Sequence, residues 1–152
     1  MKKPALHQLG DTHRRGIGTT LALLDEAICE FDQWANGRKA SSAIYEESNS
    51  LESEQKAAIL RETAAVRALL AEIAQDLHLS KSTNDASRAI WAKTISLWEN
   101  LAELHFKHLH RYGQPPPWLK GYLDPRVDKL LKHLEALRSI VEHEKRDGGA
   151  AG

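Results

Sequence analysis

The stretch IWAKTISLWENLAELHFKH, residues 90–108, decides how the fold is interpreted, because a single spacing runs through all of it. A mean step of 3.5 residues keeps one face of a helix against its neighbours, which then cross at a shallow angle. The stretch therefore predicts an amphipathic helix that packs beside other helices. Its seam positions follow one another in steps of 4, 3, 4, 3 and 4 residues: Ile90, Thr94, Leu97, Leu101, Leu104 and His108.

Three further segments show the same spacing, so four helices are predicted. No segment alternates apolar and polar residues with a period of two, so no sheet is predicted. The fold class that follows is all-α, a single antiparallel up-down-up-down four-helix bundle. The three other seams are Ile17, Leu21, Leu24, Ile28, Phe31 and Ala35; Ile59, Thr63, Val66, Leu70, Ile73 and Leu77; and Val127, Leu130, Leu134, Leu137 and Val141.

Capping and helix-stop patterns at the segment ends set the helix boundaries. The patterns are Asn36-Gly37, Asn49 with Glu52, Ser82 with Asp85, Tyr112-Gly113 and Asp124-Pro125. They place the helices at about 11–36, 50–78, 83–112 and 125–146.

The remaining segments are interpreted as termini and linkers. Residues 1–10 form an N-terminal segment, and residues 147–152 form a flexible tail. The short linker 79–82 requires an antiparallel turn between the second and third helices. The run QPPPW, residues 114–118, predicts a stiff proline-rich linker before the last helix.

Composition excludes several classes of protein. The 152 residues include 21 Lys and Arg against 21 Asp and Glu, which argues against binding nucleic acid or a membrane surface by bulk charge. The single cysteine, Cys29, cannot form an internal disulfide, which favours a reducing, cytoplasmic location. No apolar run approaches the roughly 18 residues that cross a bilayer, and no signal peptide is predicted.

The third helix is apolar over about 180° of its circumference, wider than the roughly 100° that one buried face requires. Its aromatic residues repeat every seven positions and form a ladder beside the seam. Because aromatic side chains favour interfaces, we predict a homodimer through this surface. Cover by the chain's own linkers and a pocket for an apolar ligand are the two alternatives. The predicted surface is Trp91, Ile95, Trp98, Ala102, His105, Leu109 and Tyr112.

Eight histidines raise the question of a metal site. The Glu-x-x-His pairs of di-iron bundles and the His-Glu-x-x-His zinc motif do not occur in the sequence. His105 and His108 lie three residues apart on the apolar half of the third helix, so a transition-metal site completed by a carboxylate is one hypothesis. The alternative is that both rings close the end of the bundle by hydrogen bonds to linker carbonyls.

The start of the first helix is a candidate anion or phosphate site. Unpaired N–H groups point outward at a helix start and attract anions. The alternative is that Gly16 and Gly18 loosen a first turn capped by Asp11 or Thr19. The candidate anion-binding residues are His13, Arg14, Arg15 and Thr19.

Charge is segregated along the chain. Residues 16–36 carry four acids and no Lys or Arg, whereas residues 105–146 carry nine Lys and Arg against five acids. This favours pairing of the first and last helices. The alternative is that the last helix presents a basic face to an acidic protein partner.

The predicted function follows from the absence of recognisable catalytic and cofactor motifs in the sequence. The sequence shows no nucleophile with a base, no phosphotransfer histidine pattern and no cofactor motif, and the fold alone assigns no activity. We therefore predict a non-enzymatic protein-protein interaction or self-association module.

Overall fold

The structure, a computed structural model of the chain, describes residues 9–147, and among them the side chains of residues 9–142. Within these residues the fold is all-α, as predicted, with no strand. The predicted N-terminal segment 1–10 and tail 147–152 lie outside the described residues except for positions 9, 10 and 147. The helices are α1 (Asp11–Ala35), α2 (Ser53–Asp76), α3 (Ala86–Ala102), a 3₁₀ helix (Phe106–Tyr112) and α4 (Trp118–Asp147).

The chain divides after Ser82 into two units, each built on a pair of helices. In the first hairpin, residues 9–82, α1 packs against α2; in the second hairpin, residues 83–147, α3 packs against α4. Both pairs are antiparallel, as consecutive helices of an up-down-up-down bundle must be. A single bundle of all four helices remains a prediction.

The second helix begins three residues later than predicted, because its cap is different. Glu52 precedes the first turn, and the side-chain oxygen of Gln55 accepts a hydrogen bond of 2.9 Å from the Glu52 N–H. Asn49, the predicted cap, instead donates to the carbonyls of Trp34 and Arg38 at 2.8 and 2.9 Å. The prediction for Asn49 was wrong, since its side chain ties the linker to the end of α1.

The third helix is shorter than the predicted 83–112. It begins at Ala86 because the Asp85 side chain caps its first turn. It ends at Ala102, whose carbonyl accepts from the His105 N–H at 3.2 Å and lies 2.9 Å from His105 Nδ1. These bonds replace the next α-helical turn, so the chain continues only as a 3₁₀ helix.

The last helix begins at Trp118, seven residues earlier than predicted, so the proline-rich linker is reduced to 113–117. Pro125, expected at the first helical position, lies inside the helix, where it cannot donate to the carbonyl one turn earlier. Arg126 Nη1 donates to the neighbouring carbonyl of Tyr122 at 2.7 Å. The predicted boundary was wrong because prolines, which favour the start of a helix, also occur just before Trp118.

Each hairpin buries a small group of side chains between its helices. Both groups include one seam threonine, Thr63 on α2 and Thr94 on α3, and the rest are aliphatic. Other seam positions stay exposed. The buried residues are Ile28, Ala35 and Thr63 in the first hairpin, and Thr94, Val127, Leu131 and Val141 in the second.

Candidate functional site

The predicted aromatic ladder lies along α4 within the second hairpin. Trp91 Nε1 donates to Glu142 Oε1 at 2.9 Å, and His105 Nε2 lies 2.8 Å from Asp128 Oδ1. Trp91 and His105 lie fourteen residues apart along the chain, and Glu142 and Asp128 lie fourteen residues apart on α4, so the two contacts follow the axis of α4. The predicted homodimer surface therefore contacts the chain's own last helix at two points.

The other ladder residues differ in exposure. Tyr112 is exposed, and Ile95, Trp98, Ala102 and Leu109 are half-buried. The indole N–H of Trp98 is buried and has no partner among the described residues. An unpaired buried donor of this kind costs about 1–3 kcal/mol. Association through this surface stays a prediction.

His105 joins the end of α3 to α4. Acceptor oxygens lie against both ring nitrogens, the carbonyl of Ala102 at Nδ1 and the carboxylate of Asp128 at Nε2. Only the protonated ring can donate to both. The hydrogen bond to Asp128 raises the pKa of His105, the Ala102 carbonyl adds to this effect, and partial burial opposes it. The adjacent backbone N–H of Phe106 donates to Asp124 Oδ1 at 2.8 Å.

The predicted metal pair, His105 and His108, does not gather further ligands. In the part of the chain that the structure describes, no group of three or more His, Cys, Asp or Glu side chains could hold a metal ion. His108 is half-buried, and both ring nitrogens of His105 already face acceptors. The alternative, in which both rings bond to linker carbonyls, is not what the structure shows for His105, whose partners are the last residue of α3 and a carboxylate of α4.

The residues of the predicted anion site are engaged in local contacts. Arg14 Nε donates to the carbonyl of Leu77 at 3.0 Å, and its Nη1 lies 3.1 Å from Asp11 Oδ1. The Thr19 hydroxyl donates to the carbonyl of Arg15 at 2.9 Å. His13 and Arg15 are exposed. Arg14 thus links the start of α1 to the end of α2 instead of pointing to a free anion.

The last helix was predicted to present a basic face to an acidic partner. Among its described side chains, Lys120, Arg126, Lys129 and Lys132 are exposed and Arg138 is half-buried. The Arg126 guanidinium stacks 3.9 Å from the Tyr122 ring centroid, and Trp118 meets that ring edge-on at 6.4 Å. Lys129 and Lys132 are exposed next to them. An acidic partner for this surface stays a prediction.

An exposed aliphatic face lies on the side of the second hairpin opposite the ladder. At 100° per residue, Ile90 and Leu97 lie about 100° around α3 from Trp91 and Trp98. Leu130 and Leu137 lie roughly 60–80° around α4 from buried Val127. Because α3 and α4 are antiparallel, both rotations place these four residues on the same side of the helix pair, away from the ladder. We define the aliphatic face as these four residues together with Leu104, which follows the end of α3; each of the five is between 41% and 51% exposed.

In the first hairpin, a buried carboxylate organises the linker after α1. Glu47, only 9% exposed, accepts hydrogen bonds from Arg38 Nη2 (2.6 Å), the Ala40 N–H (3.2 Å), the Tyr45 hydroxyl (2.9 Å) and Trp34 Nε1 (3.2 Å). The Arg38 guanidinium and the Ala40 N–H are the main reasons that the pKa of Glu47 falls to about 2. We call these five residues the Glu47 cluster. No sequence spacing marks it, because the linker must fold before its members meet.

The Glu47 cluster holds a tight turn, residues 41–46, that we call the Ile44 turn. Ser41 and Glu46 form an isolated antiparallel bridge, and the Ser42 N–H donates to the Tyr45 carbonyl at 2.7 Å. Ile44 at the tip is fully exposed, and Tyr45 is 57% exposed. The hydrogen bonds to Glu47, and not burial of these two side chains, hold the turn.

A second polar contact joins α1 to α2. The Thr63 hydroxyl donates to Asp32 Oδ1 at 2.5 Å, and Arg67 forms an ion pair with the same carboxylate. The bond from Thr63 is the main reason that the pKa of Asp32 is lowered, Arg67 acts in the same direction, and partial burial opposes both. A seam position predicted to pack as an apolar residue thus carries a hydrogen bond between helices.

Comparison with known proteins returned no relative. No family model, curated protein or solved structure matches this chain. Among the described helices, none is both long and apolar enough to span a bilayer.

Proposed function

We propose that this protein is a non-enzymatic self-association module that forms a homodimer through the aliphatic face of the second hairpin. The supporting observation is that five aliphatic side chains of the second hairpin stay about half exposed, four of them on one side of the antiparallel α3–α4 pair. Groups of exposed apolar side chains on one side of a protein often mark an interaction surface. A second copy of the chain presents an identical aliphatic face.

The energetics favour a dimer of moderate affinity. Fully burying an aliphatic side chain contributes about 1.5–3 kcal/mol, so covering the exposed halves of five contributes roughly 5 kcal/mol per copy. Two copies gain about twice that, and association costs at least about 4 kcal/mol of translational and rotational freedom. At the smallest of these costs about 6 kcal/mol remain, which corresponds to a dissociation constant of tens of micromolar.

A twofold dimer of this kind also provides a four-helix bundle. Two α3–α4 pairs facing each other place four helices around one apolar core. The arrangement predicted from the heptads, in which the four helices of one chain form an up-down-up-down bundle, is the other way to cover the same face. The mass in solution distinguishes the two, because only the first requires a second copy.

The proposal is tested by light scattering after size-exclusion chromatography. We expect the wild type to approach twice the 17.0 kDa chain mass at high micromolar concentration. The double variant Leu97→Gln/Leu137→Gln removes two residues of the face from each copy and should raise the dissociation constant at least about a hundredfold. Leu23→Gln is the matched control, since Leu23 is an exposed leucine of α1 outside the face.

Two results would contradict the proposal. One is a wild type that stays at the mass of a single chain at high micromolar concentration. The other is a double variant that dimerises as well as the control variant while its circular dichroism remains helical.

A further inference from the structure

One α-helical hydrogen bond is missing where α3 ends, and each of its two groups has another partner. In a continuous helix the Phe106 N–H would donate to the carbonyl of Ala102, four residues earlier. The Ala102 carbonyl instead accepts from the His105 N–H at 3.2 Å and lies 2.9 Å from His105 Nδ1. The Phe106 N–H donates to Asp124 Oδ1 at 2.8 Å. We call these contacts, with the contact of His105 Nε2 to Asp128 Oδ1, the His105 clasp.

The change of direction after α3 occurs at His105. Glu103 keeps helical angles, with φ −67° and ψ −10°, whereas His105 is extended, with φ −57° and ψ 141°. Because the φ of His105 is already close to its helical value, rotation about its ψ is the main change that would join the 3₁₀ helix to α3. The 3₁₀ helix has seven residues, more than the three or four that are usual, and such stretches often mark hinges.

The sequence of this segment suits a continuous α-helix. The seam spacing of α3 extends to His108, and Gly113, at φ 115°, supplies a stop beyond it. Glu103 now forms an ion pair with Arg111, eight residues later. In an α-helix Lys107 would follow Glu103 by one turn, in the favourable order for an ion pair, and would replace Arg111 as its partner.

The register of the second hairpin also leaves room for a longer α3. The two contacts of the ladder with α4 show that each residue further along α3 lies opposite an earlier residue of α4. In a continuous helix, residues 106–112 would therefore lie opposite residues 121–127. These residues belong to the first turns of α4, which begins at Trp118. The linker 113–117 would then close the hairpin directly.

The charges around His105 make the clasp sensitive to pH. Asp124 and Asp128 of α4 favour the protonated ring, and Lys107 and Lys120 border the same surface depression. The hydrogen bond to Asp128 is the main reason that the pKa of His105 is raised. Only the protonated ring can donate to both of its acceptors, so the clasp is complete below pH 6.5 and weakens as the pH rises through the folded value.

We propose that residues 103–112 are a two-state segment, bent while the His105 clasp is closed and continuous with α3 as one α-helix when the clasp opens. Loss of the ring proton is the trigger. The Phe106 N–H then leaves Asp124 and bonds to the Ala102 carbonyl. The rearrangement goes beyond the proposed self-association, because every group in it lies within the second hairpin of one copy.

The experiment is carbon-detected NMR of the full-length protein at pH 5 and pH 9. Backbone Cα and carbonyl shifts distinguish an extended residue from a helical one. In the wild type, His105 should be extended at pH 5 and helical at pH 9, with α-helical shifts through residues 103–112. His105→Ala removes both ring contacts and should give a continuous helix at both pH values. His110→Ala, the same substitution at an exposed position of the segment, is the control and should retain the pH dependence.

A second variant should hold the segment in the bent form. Proline at position 106 removes the N–H that the continuous helix needs and restricts the preceding residue to the extended conformation that His105 already has. Phe106→Pro should therefore keep residue 105 extended at pH 9, where the wild type becomes helical.

Three results would overturn the inference. The first is a wild type in which His105 remains extended at pH 9. The second is a segment whose shifts move to coil values when the clasp opens, because the clasp would then prevent melting and not helix extension. The third is a His110→Ala variant that is already continuous at pH 5, since helix propensity and not the clasp would then set the conformation.

Discussion

The two hairpins are held by polar contacts of opposite kinds: carboxylate acceptors in the first and a histidine donor in the second. In the first hairpin, the acceptors are carboxylates whose pKa is lowered, Asp32 between the helices and Glu47 in the linker. In the second, the donor is His105, whose pKa is raised by its bond to Asp128. Groups whose pKa values are shifted in opposite directions therefore hold the two hairpins.

This difference gives the hairpins opposite responses to pH. A carboxyl group with a lowered pKa stabilises fully above its unfolded value, 3.8 for Asp or 4.5 for Glu, and the stabilisation is lost as the pH falls through the folded value. A histidine with a raised pKa stabilises fully below 6.5, and the stabilisation is lost as the pH rises through the folded value. Acid loosens the first hairpin, and base loosens the second.

The largest expected effect is a core truncation that acts on the second hairpin. Leu131→Ala removes a buried side chain of α4 and should lower the free energy of unfolding by about 2–4 kcal/mol. Amide hydrogen exchange should accelerate most in α3 and α4. Leu23→Ala, at an exposed site of α1, is the control and should cost less than about 0.5 kcal/mol. Faster exchange confined to α1 and α2 would show that Leu131 does not stabilise the second hairpin separately from the first.

The next largest effect concerns the Glu47 cluster. Glu47→Gln keeps the size of the side chain but removes the charge that Arg38 and the Ala40 N–H bind, so residues 37–49 should lose their order. In the wild type the same order should persist down to about pH 4.5 and be lost as the pH falls toward 2. The indole N–H signal of Trp34 in an NMR titration reports this. Glu46→Gln, at an exposed neighbour, should leave the signal unchanged.

A smaller effect should appear on the alkaline side. Thermal unfolding followed from pH 5 to 9 should show the second hairpin losing stability as His105 deprotonates. His105→Gln should remove this dependence and Asp128→Asn should reduce it, because Asp128 is the main but not the sole cause of the raised pKa of His105. His133→Gln, at an exposed histidine of α4, is the control and should retain it. A wild type whose second hairpin becomes more stable above pH 7 would contradict the assignment.

The smallest effect compares the two seam threonines. Thr63 bonds across the hairpin to Asp32, whereas the Thr94 hydroxyl donates to the Trp91 carbonyl of its own helix at 2.7 Å. Thr63→Val should therefore cost about 1 kcal/mol, and Thr94→Val less than about 0.5 kcal/mol, in urea unfolding. Equal costs would show that the threonine contacts do not distinguish the hairpins.

The sequence predicted the helical segments because the 3.5-residue spacing is a local property of the chain. Helix ends depended on contacts with other segments. The apolar pattern continues past Ala102, yet the helix stops there because His105 and Phe106 bond to Asp128 and Asp124 of α4. Pro125 was predicted at the first position of the last helix because proline is common there. The helix instead begins at Trp118, directly after three other prolines.

The site could be predicted only in part. A helical wheel showed that the third helix is apolar over too wide an arc, but not which side of that arc α4 covers. Trp91 and His105 therefore appeared free although each bonds to α4, and Ile90 and Leu97, expected in a core, are exposed to about the same extent as Trp91. The Glu47 cluster left no pattern at all, since its hydrogen bonds form only after the linker turns back on α1.

The central claim is that the aliphatic face, and not the aromatic ladder, joins two copies of this chain. An isotope-filtered NOE experiment on a mixture of labelled and unlabelled protein tests it most directly. We predict intermolecular cross-peaks from the methyl groups of Ile90, Leu97, Leu130 and Leu137. Cross-peaks from the rings of Trp91 and Trp98 instead, or an empty filtered spectrum at high micromolar concentration, would contradict it.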